Sequence, residues 1–322
     1  MFYKASNKIS FLIADELLEI VRPALTAENP VFNRDRFYSN HIQKIKYYVD
    51  RREPIQLLLP AFPMKSPNNH KVLGKLPDLA EEISLNFLNE FCEKIKKHYD
   101  PGAELTICSD GRVFGDVIGV KDQDITNYQH QLKNLIKKIN AKYISVVNLE
   151  DFEEFYELNF DLMREKLVNY HADSLSEIKS YLLSSDDGLR LYRAMSRFLF
   201  EDSLTPEYSG SKNALQNDAK KRAIETIQRS WAWGNFLEIK FPKFLRLSIH
   251  PQPDSAEKIG IHMMPTKDNW LTPWHGVAAE INNQFILMKK TEAISLNGSI
   301  VIRDEKLSHY KIPASPEADL YL

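Results

Sequence analysis

A glycine-punctuated run, Ser109–Val120, holds two carboxylates and a guanidinium within one short stretch. Asp110 and Asp116 could exchange protons with a substrate, since carboxyl groups act as general acids and bases. Arg112 could hold a phosphate or carboxylate with two parallel N–H donors, beside the hydroxyl of Ser109. The spacing matches neither the dinucleotide-binding glycine pattern nor the P-loop. We therefore predict a substrate site without a dinucleotide or ATP; the alternative is a tight turn with a surface ion pair.

A second polar segment, Pro60–Asn68, follows an apolar run and carries Lys65 and Ser66 between prolines. Proline restricts the backbone, so the segment could hold an ammonium group and a hydroxyl group in place at low entropic cost. Lys65 is then a candidate ligand for an anion. The alternative is a proline-rich surface turn with a solvated lysine.

The segment Arg246–Pro251 alternates as a strand does, with Arg246, Ser248 and His250 on one face. Their chemistry suits an anionic substrate. An edge strand with one wet face would show the same pattern.

Two further segments add candidates. Trp274 could form an aromatic wall beside His275, whose imidazole titrates near neutral pH. Arg229 could face the site or stabilise the end of a helix. Both His275 and Arg229 could equally have a purely structural role.

No metal site is predicted. His171 and Asp173 match half of an iron-binding pattern that His250, His262 or His275 could complete. However, the pair precedes a helix start rather than continuing a strand, so we assign it no ligand role.

These candidates must be positioned by a sheet. Apolar runs at Ile55–Leu59, Glu104–Cys108 and Tyr143–Val147 alternate with helical patterns, which indicates parallel strands with crossover helices. The predicted fold is α/β, a Rossmann-like and mostly parallel sheet flanked by helices. Loops at the carboxyl ends of such strands collect ligands.

After a helical middle part, the sequence pattern changes from helical to strand-like. We predict an α/β part over residues 1–210 and, over 211–322, a helix followed by a β-rich part that completes the active site. Asn282 and Asn283 are expected to turn a hairpin. The strand-like runs are Phe236–Lys240, Phe244–His250, Lys258–Met263, Val277–Ile281, Gln284–Lys289 and Ser299–Arg303.

Composition narrows the class of protein. The 322 residues carry 42 Lys and Arg against 44 Asp and Glu, so no bulk positive charge favours nucleic acid or an anionic membrane. Cys92 and Cys108, the only cysteines, provide neither a disulfide framework nor zinc-ligand spacing. No apolar run is long enough for a membrane helix. We expect a cytoplasmic protein with neither nucleic-acid nor membrane partners.

Taken together, these segments resemble the pyoverdine/dityrosine biosynthesis family, which includes the isonitrile synthases. The resemblance implies a Rossmann-like fold without bound nucleotide, and conversion of the amino group of L-tyrosine or L-tryptophan to an isonitrile. The added carbon would come from C2 of ribulose 5-phosphate. The segments that carry the resemblance are Leu59–Asn68, Leu73–Phe91, Ser109–Tyr128, Lys220–His250 and Thr272–His275.

The resemblance also implies that the two substrates, an aromatic amino acid and a sugar phosphate, are the chain's partners. It implies no metal or redox cofactor, and an iron/2-oxoglutarate oxygenase as a pathway neighbour. Fungal relatives make an N-formyl product, so an amino-acid N-formylating enzyme is one alternative. A catalytically inactive protein that binds an amino acid is another.

One geometric expectation follows from the parallel sheet. The loops after the first two strands should open on the same edge, so that Lys65 and Asp110 share a pocket. The face bearing Arg246, Ser248 and His250 should close that pocket.

Overall fold

A computed structural model describes residues 2–25 and 30–322 of the chain. The strands are β1 (Ile55–Pro60), β2 (Ala103–Cys108), β3 (Ile144–Val147), β4 (Leu245–Ser248), β5 (Lys258–Gly260), β6 (Val277–Ile281), β7 (Gln284–Met288), β8 (Ser299–Arg303) and β9 (Lys306–Lys311). The helices are α1 (Phe2–Leu18), α2 (Arg34–Arg51), α3 (Leu79–His98), α4 (Gly111–Ile118), α5 (Asp122–Lys138), α6 (Phe160–His171), α7 (Leu175–Ser184), α8 (Asp186–Ser203), α9 (Lys212–Lys240), α10 (Lys290–Ser295) and α11 (Pro316–Asp319).

The first sheet is parallel and has the strand order β3-β2-β1-β4-β5. The chain moves outward from β1 to β3, then returns to the other side of β1 to form β4. The predicted α/β fold is therefore confirmed, and the strand order reverses between β1 and β4. In open parallel sheets, ligands bind in the crevice at the carboxyl ends of the strands where the order reverses.

The two faces of this sheet differ. On one face, side chains such as Leu57, Leu59 and Leu247 pack with apolar residues of α1, α2, α3 and α5. On the other, Leu58 and Cys108 pack under α6 and α9. Each fully buried leucine contributes about 1.5–3 kcal/mol to folding. The second face turns polar along β4 and β5, so apolar packing covers only its β1–β3 half.

The second sheet has the order β7-β6-β9-β8. The predicted hairpin between β6 and β7 is confirmed, with Asn282 and Asn283 at φ values of 49° and 62°. Asparagine tolerates this left-handed region better than most residues. Strand β9 was not predicted; a turn at Asp304 and Glu305, also with positive φ, joins it to β8.

Residue 210 does not separate the two sheets, because β4 and β5 complete the first one. The division into 1–210 and 211–322 stays a prediction.

The strand predicted at Phe236–Lys240 is wrong, since these residues form the end of the 29-residue helix α9. Trp233 stacks on Phe236 there, with ring centroids 5.6 Å apart. Short apolar runs do not distinguish strands from buried helix segments.

Among the helices of the described residues, none combines the length and apolar character of a membrane span.

Candidate active site

The chain leaves β1 through Phe62, a fully buried residue with a left-handed φ of 56°. This conformation costs a non-glycine residue about 1–2 kcal/mol. The Phe62 carbonyl oxygen accepts hydrogen bonds from Ser109 Oγ and Gln129 Nε2, each at 3.0 Å. The Phe62 ring packs against Trp274 with centroids 5.2 Å apart. Strained residues held by their surroundings are typical of functional sites.

These contacts give Ser109 and Trp274 supporting positions. Ser109 is buried and uses its hydroxyl on Phe62, and it also accepts a hydrogen bond from Gln129. Trp274 is only 2% exposed, and its carbonyl oxygen accepts from the Ser66 backbone N–H at 2.9 Å. The Ser66 hydroxyl, also buried, accepts from the Asn68 N–H at 3.2 Å. Ser66, Ser109 and Trp274 thus hold the β1 loop, and the expectation that they contact substrate stays a prediction.

Lys65 does not fit the anion-binding role expected for it. Its Nζ donates to the Pro273 carbonyl oxygen at 3.0 Å and lies 2.8 Å from both Asp78 Oδ2 and Glu81 Oε2. These three contacts use every N–H donor of the ammonium group. The side chain is 1% exposed. Lys65 therefore joins the β1 loop to α3 and to the segment before β6.

The two acidic partners of Lys65 are also the capping box of α3. Asp78 Oδ1 accepts from the Ala80 N–H at 2.9 Å, and Glu81 Oε2 accepts from the Asp78 N–H at 3.0 Å. Burial raises the pKa of Glu81 against the opposing effect of Lys65. Tyr128 donates its hydroxyl to Glu81 Oε1 at 3.2 Å. The pattern Asp-x-x-Glu before an apolar helix is a sequence signal for this cap that was missed.

Arg112 is likewise engaged within the protein, and its expected role as a substrate ligand stays a prediction that these contacts do not support. Its guanidinium donates to Asp122 at 2.8 and 2.9 Å, to Thr126 at 2.7 Å and to Glu150 at 3.1 and 3.3 Å. It also stacks 3.6 Å from the ring centre of Phe160. With the side chain 2% exposed, no donor remains for an anion. The predicted loop at this point is helix α4, which Arg112 joins to α5 and α6.

Asp116 and Arg229 neutralise each other. Arg229 donates to both carboxylate oxygens of Asp116, with Nη2 2.8 Å from Oδ2, and also to the Val113 carbonyl oxygen. Burial alone would raise the pKa of Asp116, but Arg229 and Arg164 outweigh it and the pKa is lowered. Asp116 is therefore an ionised partner of Arg229 and does not fit the predicted proton donor, and Arg229 does not fit the predicted substrate ligand.

Asp110 is the carboxyl group that fits acid–base chemistry. It follows β2 directly, and its Oδ1 is buried with no hydrogen-bond partner among the described residues. Burial raises its pKa to about 7. A carboxyl group poised near neutrality can both donate and accept a proton at physiological pH.

Gly111 allows the loops after β1 and β2 to meet. A Cβ atom at Gly111 would lie 2.1 Å from the Pro63 carbonyl oxygen. Only glycine permits this close approach of the α4 N-terminus to the β1 loop. The prediction that both loops lie on one edge of the sheet is confirmed, although the Lys65 ammonium points into the interior rather than into a shared pocket.

The predicted alternation along β4 is confirmed. Leu245 and Leu247 are buried in one face of the sheet, and Arg246 and Ser248 are half-buried on the other. Arg246 Nη1 donates to the Gly234 carbonyl oxygen at 3.1 Å, while its Nε is buried without a partner. Burial lowers the pKa of Arg246. Ser248 Oγ accepts from the backbone N–H of His250 at 3.1 Å.

His250 lies just beyond the carboxyl end of β4. Its side chain is exposed to solvent, yet the surrounding protein lowers its pKa to about 4, aided by the charges of Arg22, His275 and Lys258. Its ring lies 5.4 Å from that of Trp270. An accessible imidazole that is neutral at pH 7 is suited to accept a proton.

His275 belongs to a second polar group. Its Nδ1 lies 2.9 Å from Thr272 Oγ1, and its Nε2 lies 3.4 Å from Asp202 Oδ2. Asp202 is fully buried; burial would raise its pKa, but His275 and Lys71 outweigh this and lower it to about 2. Asp202 was missed because nothing in the local sequence of α8 distinguishes it. Both ring nitrogens of His275 thus have partners within the protein, and its catalytic role stays a prediction.

Asp110 and His250 lie at the same edge of the first sheet. Each follows the carboxyl end of a parallel strand by two residues, Asp110 after β2 and His250 after β4. Strand β1 runs between these two strands, so the β1 loop at Phe62 separates the two side chains. In such sheets ligands bind at the carboxyl edge, beside the point where the strand order reverses.

The geometry does not support an iron site at His171 and Asp173. His171 packs edge-on against Phe236, with ring centroids 5.2 Å apart. Within residues 2–25 and 30–322, no three His, Cys, Asp or Glu side chains converge as metal ligands. Metal independence stays a prediction.

Comparison with known proteins agrees with this architecture. The family model described as pyoverdine/dityrosine biosynthesis protein matches residues 45–301. An L-tyrosine isonitrile synthase of Xenorhabdus nematophila is 48% identical over 98% of this chain and 96% of its own length. An L-tryptophan isonitrile synthase of Fischerella ambigua is 42% identical, over 86% of this chain and 83% of its own.

A solved structure has the same fold. The crystal structure of the PvcA protein from Pseudomonas aeruginosa matches with a TM-score of 0.88 and 46% identity, over 94% of this chain and 99% of that one. The chain belongs to the pyoverdine/dityrosine biosynthesis protein family.

Proposed function

We propose that this chain is an isonitrile synthase that converts the amino group of L-tyrosine to an isonitrile, with C2 of ribulose 5-phosphate as the carbon donor. Relatives named for L-tyrosine are 48% and 51% identical to the chain, and those named for L-tryptophan are 42% and 39% identical. L-Tyrosine is therefore the favoured substrate and L-tryptophan the second candidate.

The observation that carries the chemistry is that Asp110 and His250 both follow parallel strands at the carboxyl edge of the first sheet, on either side of the β1 loop. At pH 7 the His250 imidazole is neutral, whereas a large fraction of Asp110 is protonated. Two titratable groups whose environments set their pKa values apart are suited to act as base and acid.

The first step needs both groups. The amine of the amino acid adds to the C2 carbonyl of the sugar phosphate, its proton passes to His250, and the former carbonyl oxygen takes a proton from Asp110. The resulting carbinolamine then loses water to give an imine. Later proton transfers and C–C cleavages remove the remaining sugar carbons.

Three further proposals accompany this function. The reaction requires no metal or redox cofactor, which retained turnover after chelator treatment would support. An iron/2-oxoglutarate oxygenase consumes the product as a separate enzyme, which a coupled assay with purified oxygenase would test. The protein acts in the cytoplasm, where its two free, buried cysteines stay reduced; cell fractionation tests this.

The test is mass spectrometry of the purified enzyme with ribulose 5-phosphate labelled at C2 and each aromatic amino acid in turn. We expect a labelled isonitrile from L-tyrosine. A labelled N-formyl product would identify an N-formylating enzyme instead, and binding of tyrosine without any product would identify a binding protein. Asp110→Asn is the matched variant, since it keeps the shape of the side chain and removes the titrating proton.

A further inference from the structure

Two basic side chains stand next to each other on the polar part of the sheet. Arg246 of β4 and Lys258 of β5 are register partners on neighbouring parallel strands. Register partners in a parallel pair project from the same face and lie ~4.8 Å apart along the backbone. Both side chains therefore emerge on the α9 side of the sheet, and Arg246 is four positions before His250 in the chain.

These two cations lack close counterions. Within the described ranges, no carboxylate lies within ion-pair distance of the half-buried Arg246 or the exposed Lys258, whereas the buried Lys65, Arg112 and Arg164 all have such partners. The buried Arg246 Nε also has no acceptor. Glu238 and Glu257 are the nearest charges that oppose the pair, and both act only through space. Two adjacent cations without an ion-pair partner repel each other, and a bound anion would relieve that repulsion.

The neighbouring wall leaves room for such an anion. Gly234 of α9 accepts the hydrogen bond from Arg246, and a Cβ atom at Gly234 would meet nothing within 4 Å. Glycine inside a helix is less favourable than alanine, and no packing contact requires it here. Its missing side chain keeps the space above Arg246 open.

We propose that Arg246 and Lys258 bind the phosphate group of the sugar-phosphate donor. This inference rests on the proposed function, because it assigns one end of that substrate. The guanidinium supplies paired N–H donors and the ammonium a compact point charge, a combination suited to a phosphate dianion. Two cations match a dianion better than the single negative charge of an amino-acid carboxylate.

The position of the pair also fits the chemistry above it. Four residues along a strand span about 13 Å. The side chains of Arg246 and Lys258 are long enough to cover part of this distance, and the charge of Lys258 already acts on His250. A phosphate held at the ends of these two side chains would leave the sugar carbons directed toward His250.

Steady-state kinetics of the full-length enzyme test the assignment, with each substrate varied while the other is saturating. We expect Lys258→Gln and Arg246→Lys to raise KM for ribulose 5-phosphate about 10–100-fold, the loss expected for a charge-assisted hydrogen bond. KM for tyrosine should change less than about 2-fold. Lys306→Gln, which removes an exposed strand lysine of the second sheet, is the control and should change neither.

A binding measurement makes the result independent of turnover. Inorganic phosphate, compared with chloride at equal ionic strength, should raise the melting temperature of the wild type and of Lys306→Gln but not of Lys258→Gln. An unchanged KM for ribulose 5-phosphate in Lys258→Gln would overturn the assignment, as would an increase confined to KM for tyrosine. If the wild type forms no isonitrile, the proposed function fails, and the phosphate measurement still decides whether this pair binds phosphate.

Discussion

Asp202 Oδ2 lies 3.4 Å from Nε2 of His275, and Oδ1 of the same carboxylate lies 2.5 Å from Nζ of Lys71. A single buried carboxylate at the end of α8 therefore compensates two basic groups beside the site. Asn68 strengthens this junction by donating to the Glu201 and Leu204 carbonyl oxygens at 2.8 and 3.1 Å. The helical middle of the chain is thus attached directly to the β1 loop.

Asp202→Asn should destabilise the protein by on the order of 3 kcal/mol at neutral pH, because it removes the closer of the two carboxylates that pair with Lys71 and leaves only Glu201, 3.9 Å away. The pKa of Asp202 is lowered to about 2, so its stabilising effect is present above the ordinary carboxyl pKa of about 4 and is lost as the pH falls toward 2. Urea unfolding should accordingly show a difference from wild type that shrinks between about pH 5 and pH 3.

Asp187→Asn is the control for this measurement, since it removes an exposed carboxylate that pairs with Arg190 on the same helix. Little change is expected from it. An Asp202→Asn deficit that stays constant over the acid range would contradict the account.

Asp110→Asn should abolish most activity and yet stabilise the protein at alkaline pH. General acid–base groups contribute typically 10²–10⁴-fold to rate, so kcat should fall by about that factor. The raised pKa, about 7, means that the folded protein holds this proton while the unfolded chain releases it near pH 4. Stability contributed by the protonated form is lost as the pH rises through 7, and asparagine avoids that loss.

Measuring both activity and melting temperature distinguishes a catalytic carboxyl group from a structural one. The melting temperature of Asp110→Asn should exceed that of wild type at pH 8 and match it more closely at pH 5. Asp100→Asn, at an exposed position before β2, should alter neither activity nor the pH dependence. A variant that is both active and unchanged in stability would remove Asp110 from the mechanism.

Lys65→Met should destabilise the protein more at pH 8 than at pH 5, because the buried Asp78 and Glu81 then lose their cation. Removing one partner of a buried ion pair costs about 3–5 kcal/mol. At lower pH, protonation of Glu81, whose pKa is already raised by burial, relieves part of that cost. Adding Glu81→Gln to Lys65→Met should restore stability in part, and denaturant unfolding of the four proteins in this cycle measures the coupling. Additive effects would mean that the two groups act independently.

Arg112→Lys should lower stability without a selective effect on either substrate. Lysine keeps the charge but cannot span Asp122, Thr126 and Glu150 at once. We expect a loss of about 3–5 kcal/mol, the range for a broken buried pair, together with nearly unchanged KM values in the fraction that stays folded. Arg303→Lys, on an exposed part of β8, is the control. A large increase in one KM at unchanged stability would return Arg112 to the substrate site.

Much of the fold was predictable because it rests on local signals. Apolar strands separated by helical patterns indicated the parallel sheet, and the Asn282-Asn283 pair indicated the hairpin. The alternation along Arg246–His250 placed the correct side chains on the polar face. Each of these signals depends only on neighbouring residues and on the period of strand or helix. The combination of segments also sufficed to identify the family.

Only the tertiary structure decided which charged groups remain available for a substrate. Lys65 and Arg112 look like free cations in the sequence, but their partners come from other elements, including Pro273, 208 positions from Lys65. Arg246 has the same residue type as Arg112 and keeps no carboxylate partner in the described structure. Burial likewise raises the pKa of Asp110, whereas Arg229 and Arg164 outweigh burial and lower the pKa of Asp116. The sequence determines which side chains can carry a charge. Whether that charge is paired or desolvated depends on the distant groups that the fold brings beside it.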